Sequence, residues 1–309
     1  MHPALTRFPA IDVRTNGIDL RVRTAGEGDR LALLLHGFPE SWFSWRDQMP
    51  MLARLGYRVW APDLRGYGAS AKPKGVDQYR MDVLLEDVAG LVDAAAGGGG
   101  KRPRELLVVA HDWGGAVAWE FVRRQVRPVD RFVALNIPHP GIMAKHLRSN
   151  PRQLLRSWYM FLFQLPHVPE WYLAREDYRA VKGAFLSMAV DRSRFPEDVL
   201  RVYRDNAAQP GALTSMLNWY RAAFRDQRSL RKGPKRIDTP TLMLWGEEDT
   251  ALGKELTFGT EDLVRDLTVR YIPGASHWVQ QEAPETVNAM MEAWLSARPV
   301  PQAWEVPSR

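Results

Sequence analysis

The segment 106–115 constrains the fold more than any other part of this sequence. Residues 106–109 read Leu-Leu-Val-Val and run directly into Ala-His-Asp-Trp-Gly-Gly at 110–115. A short continuous apolar run is typical of a strand buried on both faces, and the spacing that follows predicts a helix over 114–126. A strand, a tight turn and a helix in this order form the repeating unit of a parallel sheet. We therefore expect an α/β protein.

The same alternation recurs on both sides of this segment. Alternating apolar residues around Asn16-Gly17 predict a β-hairpin over 11–25. We predict further strands at 31–35, 57–61, 131–137, 242–245 and 268–272, and helices at 41–55, 80–96 and 283–296. Gly97–Gly100 is interpreted as a surface loop. Strands that alternate with helices predict a mostly parallel central sheet flanked by helices.

A long stretch in the second half of the chain breaks this alternation. From about residue 141 to 235 no strand pattern stands out, while aromatic residues and arginines are frequent. This pattern predicts a mostly helical insertion. The expected organisation is a first part of the α/β core at 1–140, a helical cap at 141–235, and a second part of the core with a C-terminal tail at 236–309.

The composition argues against several kinds of site and of partner. The 42 Lys+Arg and 36 Asp+Glu residues give a net charge of +6, but they are scattered, which argues against nucleic acid as a partner. The absence of cysteine excludes disulfides, thiolate metal sites and cysteine nucleophiles. The sequence has neither an apolar signal core near its start nor a long apolar run, so we expect no membrane insertion and a cytoplasmic location. The glycines at 97–100 and at 66–68 lack the context of phosphate- or dinucleotide-binding loops, and we expect no cofactor.

Asp112 stands in the turn between the strand and the helix of the first segment, and we call this turn, residues 110–115, the elbow. A serine that opened an epoxide, or displaced a halide, at saturated carbon would become a stable ether. A carboxylate becomes an ester instead, and water can cleave that ester at the enzyme's own carbonyl. Aspartate at this turn therefore indicates attack on saturated carbon, although a single aspartate after a strand also fits a helix cap.

A nucleophile of this kind needs a base and a group that orients the base. Asp249 follows the predicted strand at 242–245, and His277 follows the one at 268–272. Because strand ends of a parallel sheet share one edge, we predict that Asp112, Asp249 and His277 meet as nucleophile, acid and base. A histidine with an ordinary pKa of about 6.5 supplies a neutral base near neutral pH. Glu247 and Glu248 stay open as alternatives to Asp249.

The loop after the predicted strand at 31–35 supplies donors for a developing negative charge. It reads His-Gly-Phe-Pro-Glu at 36–40. The backbone N–H groups of Phe38 and Trp113 are expected to form an oxyanion hole. The Phe38-Pro39 bond is expected to be cis. Three histidines near the site are expected to make structural hydrogen bonds, namely His36, His111 and His139.

Taken together, these motifs resemble the epoxide hydrolases of the α/β-hydrolase fold, along essentially all of residues 15–297. The matching segments are 36–40, 63–70, 111–115, 246–249 and 276–278. The resemblance implies an α/β-hydrolase fold with an inserted helical cap and a pair of cap tyrosines that hold the epoxide oxygen. The segments 158–166 and 218–222 are similar to those that carry this pair, which gives Tyr159 and Tyr220.

The reaction implied by the resemblance converts an apolar epoxide and water to a vicinal diol. Asp112 would attack a ring carbon while Tyr159 and Tyr220 donate to the oxygen, since a phenol with a pKa of about 10 stays protonated at neutral pH. His277, oriented by Asp249, would then activate water against the covalent aspartyl ester.

Two alternatives stay open at the level of sequence. A dehalogenase of the same fold would use the same Asp-His-Asp triad. However, haloalkane dehalogenases usually have asparagine where Phe38 stands or use a cap tryptophan, and fluoroacetate dehalogenases have elbow arginines where Trp113 and Gly115 stand. A non-catalytic small-molecule-binding protein would not need an intact nucleophile, acid and base. The particular epoxide, its regio- and enantiopreference, and a homodimeric state are left undecided by the sequence.

Overall fold

The computed structural model describes residues 2–98, 101–226 and 236–306, and a single sheet of eight strands runs through these ranges. The strands are β1 (Ala10–Thr15), β2 (Ile18–Ala25), β3 (Arg30–Leu35), β4 (Tyr57–Pro62), β5 (Glu105–His111), β6 (Arg131–Leu135), β7 (Thr241–Gly246) and β8 (Leu267–Ile272). Their order across the sheet is β1-β2-β4-β3-β5-β6-β7-β8. β2 pairs antiparallel with β1 and β4, and the other pairs are parallel. The mostly parallel sheet predicted from the sequence is confirmed.

Helices cover both faces of this sheet. Outside the inserted segment they are α1 (Ala4–Arg7), α2 (Met49–Arg54), α3 (Met81–Ala95), α4 (Asp112–Arg123), α11 (Val279–Glu282) and α12 (Pro284–Leu295). Alternate residues of β3 point to opposite faces, as the pleat requires. Leu33 and Leu35 join the apolar cluster that contains α3 and α4, whereas Leu34 joins the cluster that contains α2 and α12. A strand packed on both faces reads as a continuous apolar run, which is why the sequence identified these strands.

The described part of the segment between β6 and β7 is mostly helical. Its helices are α5 (Pro140–Ser149), α6 (Pro151–Arg156), α7 (Trp158–Leu162), α8 (Val168–Met188), α9 (Glu197–Ala207) and α10 (Ala212–Arg225). α8 is kinked, because residues 175–178 leave the helical conformation. The predicted division into core and cap stays a prediction, and its residues 227–235 lie outside the described ranges. No helix within those ranges is long and apolar enough to cross a membrane.

Three sequence-based boundaries are wrong. The helix predicted over 114–126 begins at Asp112 and ends at Arg123, and Gln125 beyond it has a left-handed φ of +53°. The helix predicted over 41–55 is a 3₁₀ turn, Trp42–Trp45, followed by α2, because Ser41 caps the turn through its side chain and Pro50 begins a new helix in its first turn. The strand predicted over 131–137 ends at Leu135, because Asn136 takes a left-handed conformation with φ +41°. Of the predicted loop at 97–100, Gly99 and Gly100 lie outside the described residues.

Candidate active site

The turn at Asp112 is built by close packing of backbone against backbone. Asp112 is the first residue of α4 and has a left-handed φ of +47°, which directs the chain sharply out of β5. A Cβ on Gly114 would lie 2.3 Å from the carbonyl oxygen of Leu35, and one on Gly37 would lie 2.4 Å from the Cβ of Asp112. Only glycine permits this approach. The local sequence therefore places the Asp112 carboxylate at the carboxyl end of the central strands.

The three candidate triad residues lie together. His277, after β8, donates from Nδ1 to Oδ2 of Asp249, after β7, at 2.7 Å. Nε2 of His277 lies 3.6 Å from Oδ2 of Asp112. Asp249 and His277 are buried, and the Asp112 side chain is 14% exposed. Of the two alternatives to Asp249, Glu247 pairs with Lys254, while the backbone N–H of Glu248 donates to Ala275.

The loop after β3 faces the same carboxylate. The backbone N–H of Phe38 donates to Oδ1 of Asp112 at 2.7 Å, and the Phe38-Pro39 bond is cis, as expected. Trp113 follows Asp112 directly, and its indole contacts the ring of Tyr220 with centroids 4.9 Å apart. A backbone donor therefore already points at the atom on which negative charge would develop.

Burial and charge act in opposite directions on the ionisable pair. Burial acts to raise the pKa of Asp112, but the neighbouring His277 outweighs it, and this pKa lies below its ordinary value. Burial acts to lower the pKa of His277, but Asp249 and Asp112 outweigh it, and this pKa lies well above its ordinary value. The resting site thus favours an aspartate anion beside an imidazolium.

Tyr159 and Tyr220 line one cavity of about 700 Å³ together with Phe38, Asp112 and His277. Their ring centroids are 6.0 Å apart. Burial raises the pKa of both phenols, and the negative charge of Asp112 raises it further. The two hydroxyls are therefore held in their protonated, donor form.

Three hydrogen bonds around the site join partners that the sequence did not predict. Glu40 is fully buried and accepts from Nδ1 of His111 at 2.8 Å, while Nε2 of His111 donates to the backbone oxygen of His277 at 2.8 Å. Asn136, directly after β6, donates to Asp249. His111 therefore makes structural hydrogen bonds, as do His36 and His139. In the sequence Asn136 is a polar residue at the end of a buried strand, but this pattern does not give its partner.

The candidate site shows no arrangement for a metal. No group of three or more His, Asp or Glu side chains suited to an ion is found in the part of the chain that the structure describes.

The strand order, the sharp turn after β5 and the aspartate and histidine that follow β7 and β8 fit an α/β-hydrolase fold, and a family model of that description matches residues 33–284. The chain is 40% identical to the AB hydrolase superfamily protein YfhM of Bacillus subtilis, over 92% of this chain and 96% of that one. It is 37% identical to mouse epoxide hydrolase 3, over 92% and 75% of the two chains. A crystal structure of Bacillus megaterium epoxide hydrolase with an inhibitor superposes with a TM-score of 0.82 at 31% identity, covering 93% of this chain and all of that one. The chain belongs to the epoxide hydrolase family of α/β-hydrolase-fold enzymes.

Proposed function

We propose that this enzyme hydrolyses apolar epoxides to vicinal diols through a covalent ester on Asp112. One observation carries the proposal: a single cavity brings together a carboxylate at the elbow, a histidine–aspartate pair and two tyrosines, of which Tyr220 is buried and Tyr159 half-buried. The substrates are a small-molecule epoxide and water.

In the first half-reaction, the Asp112 carboxylate attacks a ring carbon and the bond from that carbon to the epoxide oxygen breaks. An alkoxide is a poor leaving group, so the oxygen needs a proton as the bond opens. Tyr159 and Tyr220 face the cavity in their donor form, which supports their assignment as the source of that proton. The product of this step is a hydroxyalkyl ester.

Esterification changes the electrostatics of the site. Asp112 loses its charge, so the pKa of His277 falls and the imidazolium releases its proton, which returns to the tyrosine. Neutral His277 then takes a proton from water, and the resulting hydroxide adds to the ester carbonyl. The backbone N–H groups of Phe38 and Trp113 are the proposed donors to the tetrahedral oxyanion. Collapse of that intermediate releases the diol with the proton from His277.

The test is direct detection of the ester. In His277→Gln the first half-reaction should proceed and the second should stall, so mass spectrometry after addition of epoxide should find the adduct on the peptide that contains Asp112. Asp112→Asn is the matched control and should show no adduct. An unmodified peptide in His277→Gln, with diol still forming, would rule out the covalent route.

The substrate class is tested with a panel of epoxides and haloalkanes. We expect diol from the epoxides and no halide from the haloalkanes, because two phenol donors suit an alkoxide better than a halide, which leaves as a stable anion. Halide release without diol formation would favour a dehalogenase instead.

A further inference from the structure

Asn136 connects the ends of two strands to the proposed acid. It is completely buried, and its side-chain oxygen accepts from the backbone N–H of Gly246 at 2.8 Å. Its amide nitrogen donates to Oδ2 of Asp249 at 2.8 Å. Asn136 therefore bonds to the backbone at the end of β7 through its side-chain oxygen and to Asp249 through its side-chain nitrogen.

The hydrogen bonds of Asp249 divide unequally between its two oxygens. Oδ1 accepts from the backbone N–H groups of Ala251 and Leu252, each at 2.8 Å. Oδ2 accepts from His277 and from Asn136. The two backbone donors belong to the loop of Asp249 itself and hold the oxygen that faces away from the base. The bond from Asn136 is thus what fixes Oδ2, the oxygen that orients His277.

We propose that Asn136 is a positioning residue for the ester-hydrolysis step, an inference that rests on the proposed function. When His277 takes a proton from water, Asp249 must stay a carboxylate opposite the new imidazolium. A donor on Oδ2 stabilises that charged form and keeps the oxygen in line with Nδ1 of His277. The first half-reaction transfers no proton from water to His277, because it depends on Asp112 and the tyrosines. Asn136 should therefore affect the two half-reactions unequally.

The backbone at Asn136 decides which variants are informative. Its φ of +41° lies in the left-handed region, where Asn, Asp and Gly are accepted more readily than other residues. Asn136→Asp keeps the size and the acceptor for Gly246 but replaces the donor by a second acceptor. Asn136→Gly keeps the backbone conformation and removes the amide.

Single-turnover kinetics separate the half-reactions. In Asn136→Asp the rate of Asp112 alkylation should match the wild type, while ester hydrolysis should slow by about 10- to 100-fold. The slowing of ester hydrolysis should become larger as pH rises, because a protonated carboxyl at position 136 can still donate a hydrogen bond to Asp249 and an ionised one cannot. The titratable groups that face this network are Asp249, His277, Asp112 and Tyr159, with the His111–Glu40 pair behind His277. Equal slowing of both steps at every pH would overturn the proposal.

A second measurement does not depend on epoxide chemistry. In NMR titrations, the pKa of His277 should rise in Asn136→Asp, because a second carboxyl joins Asp249 beside the imidazole. The matched control is Asn288→Asp, since Asn288 donates to the backbone oxygen of Asp47 instead of to the triad; it should leave the pKa of His277 and both rates unchanged. A wild-type titration of His277 in Asn136→Asp, with the fold intact by circular dichroism, would reject the positioning role. Failure to form any ester in His277→Gln would reject the proposed function instead.

Discussion

Asp249 is the acidic side chain after β7 that accepts a hydrogen bond from Nδ1 of His277. Replacing it by Asn should lower turnover by about 10²- to 10⁴-fold, by analogy with the orienting residue of other triads. Glu247→Gln and Glu248→Gln are the matched controls and should cost little, because neither carboxylate bonds to His277 in the structure. Steady-state kinetics on one epoxide test this prediction. A larger loss of turnover in Glu247→Gln or Glu248→Gln than in Asp249→Asn would identify that glutamate as the acid.

The two tyrosines should act on the first half-reaction. Removing one hydroxyl, as Tyr159→Phe or Tyr220→Phe, should cost about 1–3 kcal/mol of transition-state stabilisation for alkylation. The double variant should nearly abolish alkylation and spare ester hydrolysis, which uses the backbone donors. Tyr79→Phe is a suitable control, since its hydroxyl donates to Pro73 at 2.7 Å. Wild-type alkylation in the double variant would contradict the assignment.

The raised pKa of His277 also predicts how stability depends on pH. Because the folded state binds this proton more tightly than the unfolded state, the contribution is fully present below about pH 6.5, the ordinary histidine pKa, and is lost as pH rises through the folded-state pKa. The free energy of unfolding of the wild type should therefore fall across this interval, and that of His277→Gln should fall less. Urea titrations at several pH values test this; parallel curves for the two proteins would show that the histidine contributes nothing.

At the scale of elements, α4 crosses β3 so closely that one added methyl group would clash with backbone. In Gly114→Ala the new methyl would meet the carbonyl oxygens of Leu35 and His36 at 2.3 and 2.5 Å, and backbone cannot move aside without displacing Asp112. We expect a loss of about 1–3 kcal/mol in unfolding free energy, together with most of the activity.

Gly183→Ala in α8 is the control for this prediction. Its methyl would meet no atom within 4 Å, and alanine in a helix should be neutral or stabilising by about 0.5–1 kcal/mol. Chemical denaturation of the two variants gives the comparison. A Gly114→Ala protein as stable as the wild type would mean that the elbow can relax.

The elements that the sequence predicted best are those packed on both faces. β3, β5 and β7 read as continuous apolar runs because all their residues except Arg30 and Glu105 are buried, and their bounds differ from prediction by a few residues at most. The prediction of a single helix over 41–55 was wrong for a different reason. Its apolar spacing reflects residues buried by tertiary contacts in a 3₁₀ turn and a short helix, and periodicity alone does not distinguish the two.

At the scale of the whole molecule, the chain order of the strands made the candidate site predictable. Asp112, Asp249 and His277 each follow a strand, so a parallel sheet brings them to one edge. The contact between Asn136 and Asp249 could not be predicted from the chain order in the same way. Its left-handed backbone and its bond to Asp249 depend on where β6 ends relative to β7, which is a property of the assembled sheet.

The composition of the cavity has a consequence for finding its ligand. Its walls come from the loop after β3, the elbow, the helices between β6 and β7, and the loops after β7 and β8. A molecule bound there touches segments from most of the chain, so occupancy and global unfolding are thermodynamically linked. A ligand present at 100 times its dissociation constant adds about 2.7 kcal/mol to the unfolding free energy. Melting temperature can therefore rank diols and unreactive epoxide analogues before any turnover assay exists.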